Sequence, residues 1–298
     1  MNCFSRGFVQ ALLGFLLVSP VLWSTRAWGA EPRRLTRDGT LKLAPVVMNP
    51  AGDVVFAKHE NPNLVALFRL KRGTGEVERL PPTVAAHQFD PAYSTDGMWH
   101  CHAMSSGSPQ LVLVIQKVAT GEMVEFRPRE ARATARNPSF LPGTDRIVFG
   151  ISDVQGHQIA SVNRRGEDLQ YLTRAAGTNC WPACSPDGRQ IAFGSSRDGN
   201  FEIYVMEADG SNVRRLTDSP GRDMRPAWSP DGRHLAFVSV REGNSKVFVM
   251  EADGSHPRSI SHHPGRDDYP TWMPDGRSVI AVSTRDGECD LFEYDVDD

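Results

Sequence analysis

Four polar residues stand at one offset in this chain, each five positions ahead of a residue suited to packing: Gln88 before Tyr93, Asn179 before Cys184, Asp223 before Trp228 and Asp267 before Trp272. Asp90 follows closely on the first, and Arg222 and Arg266 directly precede the last two. Carboxylates, amides and guanidiniums gathered on one rim would hold a polar partner. Their oxygens would also suit Ca²⁺, although no EF-hand spacing accompanies them, so the expectation is no cofactor and no metal. His100 and His102 alternate as metal ligands do on a strand. The matching positions of another repeat are Ile191 and Phe193, which points to packing instead. His262 and His263 are neighbours in a polar loop. Paired aspartates could serve acid–base catalysis, but none is set apart from turns that recur throughout the chain. No G-x-S-x-G nucleophile elbow occurs, and no catalytic residue is assigned.

A repeat must position these residues. Three copies are plain: WPACSPDGRQIAFGSSRDGNFEIYVMEADG from Trp181, RPAWSPDGRHLAFVSVREGNSKVFVMEADG from Arg225, and YPTWMPDGRSVIAVSTRDGECDLFEYDV from Tyr269. Degenerate copies precede them at Pro45, Asp90 and Asn137. The position of Trp228 recurs as Met48, Tyr93, Phe140, Cys184, Trp228 and Trp272, at intervals of 45, 47, 44, 44 and 44 residues. Within a copy, runs of alternating polarity are divided by SPDG, an Asp- and Gly-rich turn, and EADG. Proline presets φ for such turns and glycine accepts positive φ. Four antiparallel strands per copy, with no room for helices, are thereby predicted.

Units of about 40–45 residues with four strands each are propeller blades, which bury their faces only by packing radially. The fold class expected is therefore all-β, a six-bladed β-propeller over residues 31–298. The last copy stops after its third strand, and Arg33-Arg34-Leu35-Thr36 near the other end matches Arg214-Arg215-Leu216-Thr217. Pairing of this N-terminal strand with the C-terminal blade would close the ring and hide both sheet edges. Successive strands A to D put the A–B and C–D turns on one face and the B–C and D–A loops on the other. The second face varies more in sequence and suits binding. Gln88, Asp90, Asn179, Arg222, Asp223, Arg266 and Asp267 are expected to rim its channel mouth. The competing expectation is that the Asp and Asn side chains cap their own loops.

Composition narrows the function classes. The 298 residues carry 40% hydrophobic and 23% charged residues with 47 Gly plus Pro, a globular composition rich in turns. Residues 1–30 read as a signal peptide: Arg6, an apolar run from Phe8 to Trp23, then small residues. That run is short for a membrane span and is broken by Pro20, so membrane contact is expected only through a partner or an uncleaved signal anchor. Beyond residue 30 the net charge is −5, which argues against nucleic acid as a partner. Cys101, Cys180, Cys184 and Cys289 are too few and scattered for a disulfide scaffold, though one long-range bridge is open to them.

The residues PAWSPDGRHLAFVS, then REGN and VFVMEADG, resemble the WD-like repeat of TolB-family propellers. The resemblance spans residues 33–298, strongest in the last three copies, and implies the fold more narrowly than the task. TolB is a periplasmic protein whose propeller binds a peptidoglycan-associated lipoprotein, and it carries an α/β domain ahead of the propeller that this sequence is expected to lack. Similar propellers also accompany hydrolase domains in prolyl-oligopeptidase-like peptidases. A monomeric, non-catalytic module, periplasmic or secreted, is expected, and the resemblance implies an envelope protein as its partner. Two other readings stay open: a carbohydrate or small-ligand binder at the channel mouth, and a propeller lyase or hydrolase using His87, His263 or neighbouring Asp.

Overall fold

The computed structural model describes residues 31–48, 51–81, 85–105 and 109–296, so the expected signal peptide at 1–30 lies outside the described residues. Among these described residues twenty-four strands form six four-stranded antiparallel sheets. The protein is all-β, a six-bladed propeller. In the fourth blade strand A is Asn179–Cys184, B is Gln190–Ser195, C is Glu202–Glu207 and D is Arg214–Arg215. The turns between them use the predicted chemistry. Ser185 Oγ donates to Asp187 Oδ1 at 2.6 Å, and that same oxygen accepts from the Arg189 amide at 3.0 Å. The repetitive SPDG turns are thus self-contained caps.

The ring closes as expected. Arg33 and Arg34 pair with Glu293 and Phe292, so the N-terminal strand is the outermost strand of the last blade. Packing completes the closure: Val54, Phe56 and Leu70 of blade one join Ile280, Val282 and Leu291 of blade six in one apolar cluster. Analogous clusters fill other blade interfaces, such as Ile191 and Phe193 against Leu141, Val148 and Ile159. Stacked sheet faces of this kind supply the main driving force for folding.

One register differs from the sequence expectation. Blade one matches the Trp228 position with Val47, which pairs with Val54 as Trp228 pairs with Leu235. Met48 instead occupies the place of Ser229, its amide donating to the Asp53 carbonyl as Ser229 does to His234. The copy is too degenerate for spacing to separate neighbouring apolar residues, whereas the bulge in each strand A fixes the register.

That bulge recurs in all six blades. Strand A slips register at an X-Pro step, and the residue before each proline takes positive φ: Ala44, Asp90, Asn137, Trp181, Arg225 and Tyr269, at 47° to 55°. A residue before proline is disfavoured in the right-handed helical region, and a left-handed non-glycine residue costs about 1 kcal/mol or more. Six such residues at one depth form a ring around the axis.

Candidate functional site: the axial waist and its two cavities

Strand A is the inner edge of every sheet, with strand B as its only neighbour. Its bulge residues therefore meet around the axis. Five of them, Asp90, Asn137, Trp181, Arg225 and Tyr269, line both of two cavities and form the waist between them. At the waist the Arg225 guanidinium lies 4.1 Å from the Tyr269 ring centroid and 4.9 Å from that of Trp181. It also reaches Asp268 at 3.2 Å and the Tyr269 hydroxyl at 3.2 Å. Opposite it, Arg136 grips Asp90 with two nitrogens, one at 3.2 Å, and lies over Phe89. Each guanidinium is thus matched by a carboxylate. Burial raises the Asp268 carboxyl and the Tyr269 hydroxyl, with Arg225 opposing both shifts.

The larger cavity, 380 Å³, opens on the face of the SPDG turns. Pro45, Pro91, Pro138, Pro182, Pro226 and Pro270 ring it, and Tyr93, Phe140, Trp228 and Trp272 stand behind them. The two tryptophans are wedges between blades: Trp228 Nε1 donates to the Ala183 carbonyl and Trp272 Nε1 to that of Ala227, each at 3.1 Å. The smaller cavity, 310 Å³, opens on the opposite face between blades three and four and is more polar in its side chains.

The sequence-predicted rim residues divide between interior and surface. Asp90 reaches the waist. Arg222 and Arg266 are exposed on the loop face. Gln88, Asn179, Asp223 and Asp267 are buried at 3%, 1%, 0% and 0% exposure, so they do not form an open mouth. Of these four, Asn179 alone lines either of the two cavities described. Their partners explain the burial. Asn179 Nδ2 donates to Gln158 of the preceding blade at 3.2 Å, and its Oδ1 accepts from Ser195 and Arg197. Asp267 accepts from Lys246 of the preceding blade at 3.3 Å and from the Tyr294 hydroxyl at 2.7 Å. Asp223 accepts from Arg241 at 2.6 Å, and Gln88 Nε2 faces His102 Nε2 at 3.3 Å. In blade one the position holds Lys42, fully buried against Asp290 of blade six at 2.9 Å. The offset common to these residues therefore marks latches within and between blades. Of the waist residues the sequence reading named Asp90 and missed Asn137, Trp181, Arg225 and Tyr269, which look like ordinary strand positions; the signal available was the X-Pro step itself.

His100 and His102 pack at the interface of blades one and two as expected, stacked 5.1 Å apart, with His100 4.7 Å from Tyr93. Burial depresses the His100 imidazole to about 4 and His102 well below its usual range. His263 Nδ1 accepts from the Gly265 amide, a loop contact. All four described cysteines are free, and burial pushes the Cys180 and Cys184 thiols up to about 12. Among the described residues no group of three or more His, Cys, Asp or Glu is placed to hold a metal, and no helix is long and apolar enough to cross a membrane.

Comparison with known proteins agrees with this architecture. The family model for the TolB beta propeller domain matches residues 84–222, and that for the Tricorn protease N-terminal beta propeller domain matches residues 207–290. No curated protein matches the chain by sequence. Among solved structures, TolB from Agrobacterium tumefaciens is 25% identical with a TM-score of 0.60, covering 70% of this chain and 73% of its own. TolB from Acinetobacter baumannii is 19% identical with a TM-score of 0.61, covering 86% of this chain and 63% of its own. This chain therefore spans less than two thirds of that relative. A gluconolactonase from Xanthomonas campestris is 15% identical with a TM-score of 0.66, covering 89% and 90% of the two chains; at that identity only the fold is shared. Repeat and fold together define a TolB-like β-propeller.

Proposed function

We propose that this protein is a non-catalytic binding module of the periplasm or secreted fraction, and that it engages an envelope protein on the face of the SPDG turns. The observation that carries this reading is the 380 Å³ cavity ringed by six prolines. Proline lacks an amide donor, so the cavity wall offers apolar surface and carbonyl acceptors where a sheet edge would otherwise offer a full ladder. Such a cup suits apolar side chains of a protein partner, as hot-spot pockets do. The similarity to TolB structures supports a binding module. The shared fold with a gluconolactonase does not by itself bring chemistry, because function resides in the site. No cofactor takes part in this reading.

The faces can be tested against each other. Full-length protein carrying a C-terminal affinity tag is purified from its own envelope fraction, and a stoichiometric partner is identified. Thr95→Arg with Pro230→Arg, at the exposed edge of the cup, is expected to weaken that partner at least tenfold while melting is unchanged. Arg222→Glu with Arg266→Glu tests the loop face, where those two exposed residues would make the contact. Loss of the partner only in the second pair would reject the cup and favour the loop face.

A further inference from the structure

The polar cavity between blades three and four exists because one side chain is missing. In each blade a strand-B residue pairs with the strand-A residue just before the bulge. In blades five and six these are Val238 and Val282, both buried. In blades three and four they are Gly150 and Gly194. The room at Gly194 is already filled, since a Cβ there would lie 2.8 Å from the Trp181 ring. The room at Gly150 is open: a Cβ would meet only the Arg136 carbonyl oxygen at 3.6 Å and Cys180 Cα at 3.9 Å, both ordinary contacts. Gly150 lines the 310 Å³ cavity, and it is not among the glycines with positive φ.

The groups around that opening have a particular chemistry. Thr134, Asn137, Ser152 and Thr178 line it, and their side chains make no hydrogen bond to the described residues. At the floor, Arg225 Nε is buried without a partner. A buried, unpaired donor is costly and calls for an acceptor. The two guanidiniums at the floor are each neutralised, Arg136 by Asp90 and Arg225 by Asp268. An anionic ligand would therefore have to displace a carboxylate, whereas a neutral one would not. Hydroxyls both donate and accept, which fits neutral hydroxyl and amide side chains set beside Arg–Asp pairs. One oxygen of a vicinal diol can accept from a guanidinium while the other donates to its carboxylate.

We infer that this cavity binds a small neutral saccharide, at a site separate from the protein-binding cup. The test measures glucose, galactose, N-acetylglucosamine and cellobiose, with galacturonate as the anionic control, by titration calorimetry and by the shift in melting midpoint of the full-length protein. At least one neutral sugar is expected to bind and to raise the midpoint. Gly150→Val, which installs the residue of blades five and six, is expected to weaken it at least tenfold with the partner of the cup face retained. If that variant does not fold, Thr134→Val with Ser152→Ala, at residues that line this cavity and not the cup, is expected to weaken the sugar similarly. Three results would overturn the inference: no neutral sugar binding at millimolar concentration, binding of galacturonate alone, or sugar affinity unchanged in the folded variant. Failure of the cup experiment would leave these measurements unaffected, because the substitutions lie on opposite faces.

Discussion

At the scale of single residues, position in the repeat decides what a polar side chain does. His100 stands where blades three and four carry Ile147 and Ile191, each paired with its own strand A in the same register. Its Nε2 is buried without a partner. Folding therefore holds it neutral, near 4, against an ordinary value of 6.5. As the pH falls through 6.5 the unfolded chain takes up the proton first, so stability is complete above 6.5 and declines towards 4. The loss amounts to about 3 kcal/mol across that window. His100→Ile is expected to flatten this acid limb, raising the melting midpoint more at pH 5 than at pH 8. Equal shifts at both values would show that the imidazole is not held neutral. The same lesson applies to Asp223 and Asp267: aspartate type and spacing advertised a rim, and burial turned them into latches.

At the scale of elements, the latch between the first and last blades bears on ring closure. Lys42 is fully buried and contacts Asp290, Asp38 and the carbonyls of Thr40 and Cys289. Asp290 also accepts from Arg34 at 2.5 Å and from Thr36 at 2.6 Å. Burial alone would raise that carboxyl, and these bonds hold it below its ordinary value instead. At the next interface the order of charge is reversed, with Asp267 on strand A and Lys246 on strand C of the preceding blade. Removing one partner of a buried pair costs about 3 kcal/mol or more, and Asp290 would be left with Arg34 and Thr36 alone. Lys42→Met is therefore expected to lower the melting midpoint by about 10 °C. Arg33 pairs with Glu293 at 2.6 Å but is 57% exposed, and Arg33→Ala is expected to cost under about 1 kcal/mol. Similar costs in the two melts would refute the assignment of closure to the buried latch.

At the scale of the whole molecule, six blades leave an axis that is narrow at the bulge ring and wider on either side. The pseudo-symmetry is broken where the two cavities differ: prolines and aromatics ring one, while hydroxyls, amides and a missing strand-B side chain shape the other. Apolar blade interfaces and polar latches are proposed to hold this wheel together without a structural calcium ion. The melting midpoint is expected to coincide in a few millimolar EDTA and a few millimolar CaCl₂. A rise of several degrees with calcium would reveal an ion site and return the aspartates to consideration as ligands.

Blade number, strand order and the sealing segment were legible in the sequence because they depend on local properties. Period-2 alternation, turn chemistry at SPDG and EADG, and the match of Arg33–Thr36 to Arg214–Thr217 are written in consecutive residues. Apart from Asp90, the waist was not legible. Arg225 between Trp181 and Tyr269 joins three blades, each contributing a residue turned inward by a bulge of the same kind. Side chains separated by about a blade length in sequence meet only once the ring has closed. Which polar residues are exposed was likewise decided by the tertiary structure. A charged residue at the start of strand A faces water or a neighbouring blade according to what that neighbour presents, and here the neighbours presented Lys246 to Asp267 and Asp290 to Lys42.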